Sequence, residues 1–216
     1  ALATEIGPGA VPQLPDPWTA SSTLTLAFGH GVAISPLALA AATAALIENG
    51  SVVVPSFVAR GREQTSPNAV LSAETVESMR ALFRANVEHG TGRKAAVAGY
   101  DVGGKTGTAD IAGRGGYGES GVIASFLAAF PMSAPRYIVL TVLWEPKVIE
   151  AASGQRTAAT NAAPITAAII SRLAPILGLA PERSAALAPR LSTCPLTPVP
   201  AIPSSPLASR PDGRCR

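Results

Sequence analysis

The sequence has little charge for its length. Charged residues make up 14% of the 216 residues, against roughly 25% in typical soluble domains, whereas hydrophobic residues make up 47%. The net charge of +3 is scattered, with no cluster of Lys and Arg interleaved with aromatic residues. The composition predicts one globular core of ordinary size and gives no support for a nucleic-acid partner.

Cysteine, histidine and long apolar runs are also scarce. Cys194 and Cys215 lack metal-ligand spacing, and a disulfide between them stays open. His30 and His89 are isolated, so they make neither a metal site nor a Ser-His-Asp triad. No metal or organic cofactor is implied by the sequence. No run reaches the ~18 apolar residues of a membrane span, and no signal segment opens the chain. Because residue 1 is alanine and the sequence begins abruptly with ALATEIGPG, we expect a piece of a longer protein, with any membrane anchor upstream.

Two helices are predicted in the first half of the chain from capping residues and apolar spacing. The first follows Ser35, runs to the Asn49-Gly50 stop and is apolar on almost every side, which predicts burial. The second follows Ser72 and ends near His89. Its apolar stripe comprises Val76, Met79, Phe83 and Val87.

A third helix and two strands are predicted in the second half. The strands cover 122–130 and 137–144, and the six residues between them allow an antiparallel hairpin but no parallel crossover. The helix runs from Asn161, a candidate N-cap, to Leu177, and Pro175 should kink or fray its end. Its residues in helical register are Ile165, Ile169, Leu173 and Ile176.

Proline and glycine predict the remaining organisation. Residues 1–20 are interpreted as extended loop, 52–54 as a short strand, and 66–68 (Ser-Pro-Asn) as a turn before the second helix. From about 179 to 216 the chain is proline-rich without periodicity, which predicts a disordered or extended tail after a domain covering 1–178.

The stretch GYDVGGKTGT, residues 99–108, fits two incompatible motifs. From Gly99 to Thr106 it satisfies G-x-x-x-x-G-K-[ST], a phosphate-binding loop that needs a strand before it and a helix starting at the lysine. Weakly apolar sequence precedes it and a glycine-rich stretch follows, so neither requirement is met. The alternative is K-T-G, a motif of serine acyl-transfer enzymes that react with penicillin.

The K-T-G interpretation requires a strand beside a cleft. Strand alternation sends Thr106 and Thr108 to one face and Lys105 to the other, and Gly107 leaves room for a ligand to approach the backbone. Two hydroxyls can bind a carboxylate that a nearby ammonium also attracts. The two predicted strands that follow supply the antiparallel neighbours.

Three segments of the chain resemble a known family both in their residues and in their order. The segments FGHGVAISPLALAAATAALIENG, HGTGRKAAVAGYDVGGKTGTAD and GVIASFLAAFPMSAPRYIVLTVLWEP follow one another around a helix. Over roughly residues 5–178 the chain resembles the C-terminal part of the transpeptidase domain of class B penicillin-binding proteins, most closely the septal, cell-division type. The resemblance implies an α/β layered fold of the β-lactamase-like class, with an antiparallel sheet flanked by helices.

The same resemblance implies roles for the motif. In the family a serine of an S-x-x-K motif attacks a stem-peptide D-alanine carbonyl of peptidoglycan. Lys105 would supply positive charge, and Thr106, Gly107 and Thr108 would line the site for the carboxylate of substrate or β-lactam. The Thr108 backbone N–H would form half of an oxyanion hole, which makes Lys105 and Thr108 the catalytic candidates. The implied setting is the periplasmic face of a bacterial inner membrane, with cell-division membrane proteins as partners.

Departures from the family pattern leave alternatives open. No serine in this chain is followed three residues later by lysine, so the attacking group is absent from it. His30 stands where the family often has tyrosine, and we expect a structural role there. Asp110 and Arg114, in the loop after K-T-G, are candidate contacts to substrate, and the alternative is that they are simply solvated loop residues. A β-lactamase, a D,D-carboxypeptidase and a non-catalytic binding module of the same fold remain alternatives.

Overall fold

The structure is a computed structural model that describes residues 3–59, 65–111, 121–148 and 154–181. Its helices are α1 (Ala20–Leu26), α2 (Pro36–Ile47), α3 (Ala73–Glu88) and α4 (Ala162–Ile176), with a short 3-10 helix over Arg93–Ala95. Its strands are β1 (Ala3–Thr4), β2 (Gly7–Pro8), β3 (Ser51–Val53), β4 (Thr65–Ala69), β5 (Gly103–Asp110), β6 (Val122–Phe130) and β7 (Tyr137–Trp144). Among these helices, none has both the length and the apolar character needed to cross a membrane.

The main sheet has three antiparallel strands in the order β5-β6-β7. The pair β6 and β7 forms the predicted hairpin with the predicted boundaries, and Phe130 lies opposite Tyr137 next to the connection. Strand β5 runs beside β6, with Lys105 opposite Leu127. The K-T-G segment is therefore an outer strand of this sheet.

Helices cover both faces of the sheet because β6 is apolar on both sides. Every second residue of β6 packs into a core shared with α4: Ala124, Phe126, Ala128 and Phe130. The residues between them, Leu127 and Ala129, pack with Ile47 of α2 and Phe83 of α3. This alternation is the strand period of two applied to a fully buried strand. The predicted α/β layered fold is confirmed.

Helix starts agree with the predicted caps at two of three positions. The side chains of Ser35 and Ser72 accept hydrogen bonds from the backbone N–H groups of Ala38 and Thr75, which satisfies donors that a helix start leaves unpaired. Asn161 holds the N-cap position of α4 without capping it with its side chain.

The apolar stripe named for α4 is the wrong one. The buried positions are mainly small residues, Ala162, Ala163, Thr166, Ile170 and Ala174, whereas Ile165, Ile169 and Ile176 are exposed. Small side chains let the helix lie close to the sheet, where the phenylalanines of β6 fill the space. Both stripes have the same period, so hydrophobicity alone did not distinguish them. Helix α4 ends one residue after Pro175.

Three further expectations need correction. Helix α2 is only partly buried, because its buried residues, Thr43, Ala45 and Ile47, all lie in its C-terminal half, and the residues before them are half-buried or exposed. Residues 66–68 lie in strand β4, antiparallel to β3, and not in a turn; in a two-stranded sheet every strand is an edge, where proline is tolerated. The segment 1–20 is not simply loop, since it contains the β1-β2 hairpin.

Helix α1 was not predicted. It begins at a reciprocal cap in which the Thr19 side chain accepts from the Ser22 N–H and the Ser22 hydroxyl accepts from the Thr19 N–H. The surrounding prolines and glycines concealed this seven-residue element. The predicted tail from 179 stays a prediction, because residues beyond Pro181 lie outside the described ranges.

Candidate active site on strand β5

Strand β5 changes from buried to exposed along its length. Gly103 and Gly104 are buried, whereas Lys105 and Thr108 are exposed. At its start, Asp101 accepts two hydrogen bonds from the Arg84 guanidinium at 2.9 and 2.8 Å, a bidentate pair that fixes α3 against this end of the strand. The K-T-G residues therefore follow a strand start that is fixed against α3, and they lie in the more exposed part of β5.

The register places the motif side chains on two faces. Thr106 and Thr108 lie opposite Phe126 and Ala124, so they share the face that α4 covers. Lys105 lies opposite Leu127, on the face of α2 and α3. The predicted alternation therefore holds in the strand geometry.

One edge of β5 is free of strand partners in the described part of the chain, because only β6 pairs with it. The carbonyls of Gly104 and Thr106 accept from the side chains of Asn86 and Lys105, at 2.8 and 2.7 Å. These two carbonyls are two residues apart, which indicates that both point to the free edge. By the same period the N–H and C=O of Thr108 also point there.

The two threonine hydroxyls have different partners. Thr106 Oγ1 lies 2.8 Å from Thr91 Oγ1. Thr108 Oγ1 accepts a hydrogen bond of 3.0 Å from the backbone N–H of the buried Ala158. Because an N–H occupies one acceptor position of Thr108, its own proton remains available to donate to an anion.

Gly107 is explained by a close contact inside the sheet. A Cβ at this position would lie 2.6 Å from Ser125 Oγ, a hydroxyl that donates to the Gly107 carbonyl at 3.2 Å. The absence of a side chain here makes room for Ser125. Ligand approach at Gly107 stays a prediction.

Other candidates lie away from this strand or outside the described ranges. Asp110 is the exposed last residue of β5, and Arg114 falls in the undescribed stretch 112–120. His30 is exposed, with its ring centroid 6.3 Å from that of Phe28. Within the described ranges, no three His, Cys, Asp or Glu residues cluster as metal ligands would.

Two residues of the site were missed from sequence. Asn86 of α3 and Thr91 after it reach β5 through side-chain hydrogen bonds. Asparagine inside a helix is a weak signal, because it is a poor helix former. Its partner Gly104 lies 18 residues away, and no local pattern indicates that contact.

Comparison with known proteins places this geometry in a family. Residues 7–171 match the family described as the penicillin binding protein transpeptidase domain. The chain is 40% identical over 187 residues to a probable peptidoglycan D,D-transpeptidase FtsI of Caulobacter vibrioides, covering 81% of this chain and 31% of that protein. It is 35% identical over 172 residues to stage V sporulation protein D of Bacillus subtilis, covering 74% and 26%.

A solved structure agrees with these relatives. The apo transpeptidase domain of Burkholderia pseudomallei penicillin-binding protein 3 superposes with a TM-score of 0.67 at 28% identity, covering 77% of this chain and 50% of that one. The chain spans about a third or less of the curated relatives' length. The matched residues include every element from α2 to β7 and most of α4, and the chain belongs to the penicillin-binding protein transpeptidase domain family.

Proposed function

We propose that the protein to which this chain belongs is a peptidoglycan D,D-transpeptidase of the cell-division type, and that this chain supplies the K-T-G strand of its active site. Relatives named as peptidoglycan D,D-transpeptidases support the activity. Stem peptides of peptidoglycan are the proposed substrates and β-lactams the proposed inhibitors. The observation that carries the proposal is the exposed edge of β5, where an ammonium, two hydroxyls and backbone groups lie within four residues.

The proposed reaction uses these groups in two ways. A serine outside this chain attacks the penultimate D-alanine carbonyl and forms an O–C bond in a tetrahedral intermediate, which then collapses by breaking the C–N bond to the terminal D-alanine. The serine proton passes through a base to the leaving amine. The terminal carboxylate binds the hydroxyls of Thr106 and Thr108 beside Gly107, and the Lys105 ammonium attracts it.

Thr108 has a second proposed role through its backbone. An N–H at a free strand edge can donate to the oxyanion of the tetrahedral intermediate, together with the N–H of the attacking serine. One donor of this kind is typically worth ~2.7–4 kcal/mol in the transition state. The acyl group then passes to an amine of a neighbouring stem peptide, which distinguishes transfer from hydrolysis.

The proposed setting follows from the substrate. Peptidoglycan lies outside the cytoplasm, so we place the site at the periplasmic face of the bacterial inner membrane. Cell-division membrane proteins are the proposed partners of the whole protein, because the chain resembles the septal, cell-division type of the family.

The test is a chimera in which this chain replaces the matching portion of the Caulobacter relative. We expect a fluorescent penicillin to form a covalent adduct, and Lys105→Ala to slow acylation about 100-fold, as for loss of one preorganised electrostatic group. The matched control is Lys94→Ala, since Lys94 is exposed on the 3-10 helix. Near-normal acylation of Lys105→Ala would remove this lysine from the mechanism.

The same chimera separates the rival activities. With a stem-peptide donor and an amine acceptor, a transpeptidase forms the cross-linked amide. Release of the free acid alone would instead identify a hydrolase of the D,D-carboxypeptidase or β-lactamase kind. A folded chimera that forms no adduct would support the non-catalytic alternative.

A further inference from the structure

Asn86 joins the end of helix α3 to the site strand. Its side-chain Nδ2 donates to the Gly104 carbonyl at 2.8 Å. Its Oδ1 accepts from the Thr91 hydroxyl at 3.2 Å, and Thr91 Oγ1 in turn lies 2.8 Å from Thr106 Oγ1. One amide side chain therefore contacts both the free edge of β5 and the hydroxyl partner of Thr106.

The loop after α3 is folded tightly around this asparagine. The backbone N–H groups of Gly90 and Gly92 donate to the backbone carbonyl of Asn86 at 3.0 and 3.1 Å. A Cβ at either glycine would lie 2.4 or 2.9 Å from an Asn86 side-chain atom, closer than side chains tolerate. This packing holds Thr91 over Thr106.

Proton counting shows how the hydroxyls can respond to a ligand. Each threonine hydroxyl has one proton. If Thr91 donates to Asn86 Oδ1, then Thr106 donates to Thr91 and offers only lone pairs outward. A carboxylate accepts hydrogen bonds and donates none, so Thr106 must release its proton from Thr91. Thr91 can then donate to Thr106, at the shorter of its two distances.

We propose that Asn86 and Thr91 are positioning residues for carboxylate binding on β5. Asn86 fixes the Gly104 carbonyl and, before a ligand binds, accepts the Thr91 proton; when a carboxylate binds, Thr91 turns that proton from Asn86 to Thr106. The inference rests on the proposed function, because it assumes that Thr106 binds the carboxylate. Neither residue touches the reacting atoms.

The experiment compares two probes that differ only in the group to be recognised. N-acetyl-D-alanyl-D-alanine carries a terminal carboxylate, and its C-terminal amide does not. Each is titrated into the full chain, and NMR shifts of the Thr106 and Thr108 amides give the two dissociation constants. The readout is the ratio of the constants, which a general loss of stability does not change in a defined direction.

We expect the wild-type chain to prefer the carboxylate. Asn86→Asp removes the donor to Gly104 and adds a negative charge, and should lower the preference at least about fivefold, as expected when a charge-assisted hydrogen bond is weakened. Thr91→Val should lower it about threefold, because the Thr106 oxygen then lacks the donor that strengthens its own hydrogen bond to the carboxylate, and Thr91→Ser, which keeps the hydroxyl, should retain it. Ser78→Ala is the control, an exposed change on the same helix.

Each outcome tests a different statement. No carboxylate preference in the wild-type chain would overturn the carboxylate site, and this inference with it. A wild-type preference that Asn86→Asp and Thr91→Val both keep would leave the site intact and overturn the positioning role. Equal losses in Thr91→Ser and Thr91→Val would overturn the reversing hydroxyl. Because Thr91 is exposed, these two variants decide the role of the Thr91 hydroxyl even if Asn86→Asp unfolds.

Discussion

Residues 3–34 and the region around the three-stranded sheet both contain large apolar side chains, but only the second fully buries some of them. Phe28 is 75% exposed, whereas Phe130 is 0% exposed. The first region has two-residue strands and a seven-residue helix, too short to stack into layers. The second has strands of eight or nine residues between helices of 12 to 16.

The difference shows where the site obtains its rigidity. Strand β5 pairs along its whole length with β6, and the apolar side chains on both faces of β6 are buried. The exposed motif residues are therefore continuous with the best-packed part of the chain. Strand β5, supported in this way, holds its threonine hydroxyls in place without contacts from a ligand.

The largest predicted loss of stability comes from truncating a buried side chain in the region around the sheet. Phe130→Ala removes a fully buried ring that packs against Tyr137, and it should lower the free energy of unfolding by about 3–5 kcal/mol. Urea denaturation followed by circular dichroism measures the change. A loss of under about 0.5 kcal/mol, the range of surface changes, would contradict the assignment of this cluster as the core.

A buried hydrogen bond should give the second largest effect. Thr166 Oγ1 of α4 lies 2.7 Å from Thr141 Oγ1 of β7, and both residues are buried. Thr166→Val leaves the Thr141 hydroxyl without this partner and should cost about 1–3 kcal/mol.

The double change provides the control for this pair. Replacing Thr141 and Thr166 together by valine removes both polar groups at nearly constant volume, so stability should recover most of the loss. If the double change instead costs as much stability as the two single changes added together, the two hydroxyls act independently. The same denaturation curves give both results.

The smallest effect is expected in the first region. Phe28→Ala replaces the same residue type as Phe130→Ala, but at an exposed position. It should change stability by less than about 0.5 kcal/mol. A cost near that of Phe130→Ala would show that residues 3–34 carry a core of their own and would remove the contrast between the two regions.

Sequence predicted those features whose cause is local. The boundaries of β6 and β7 follow from dense β-branched and aromatic residues and a short joint, and the start of α3 follows from its serine cap. The alternation of Lys105 with Thr106 follows from strand geometry once β5 is recognised.

Features that depend on side-chain size or on contacts between residues distant in sequence were not predicted. The buried stripe of α4 depends on the small residues that fit against Phe126 and Phe130, not on its period. The role of Asn86 depends on Gly104, which only the folded chain brings within 2.8 Å. Strand β4 depends on β3 as its partner.

The most direct test of the central claim compares this chain alone with the Caulobacter chimera in one fluorescent-penicillin labelling experiment. The account predicts no covalent band on the chain alone, which contains no S-x-x-K serine, and a band on the chimera. A band on the chain alone would show that the attacking group lies within it. A folded chimera without a band, beside a labelled Caulobacter protein, would show that β5 does not supply a working K-T-G strand.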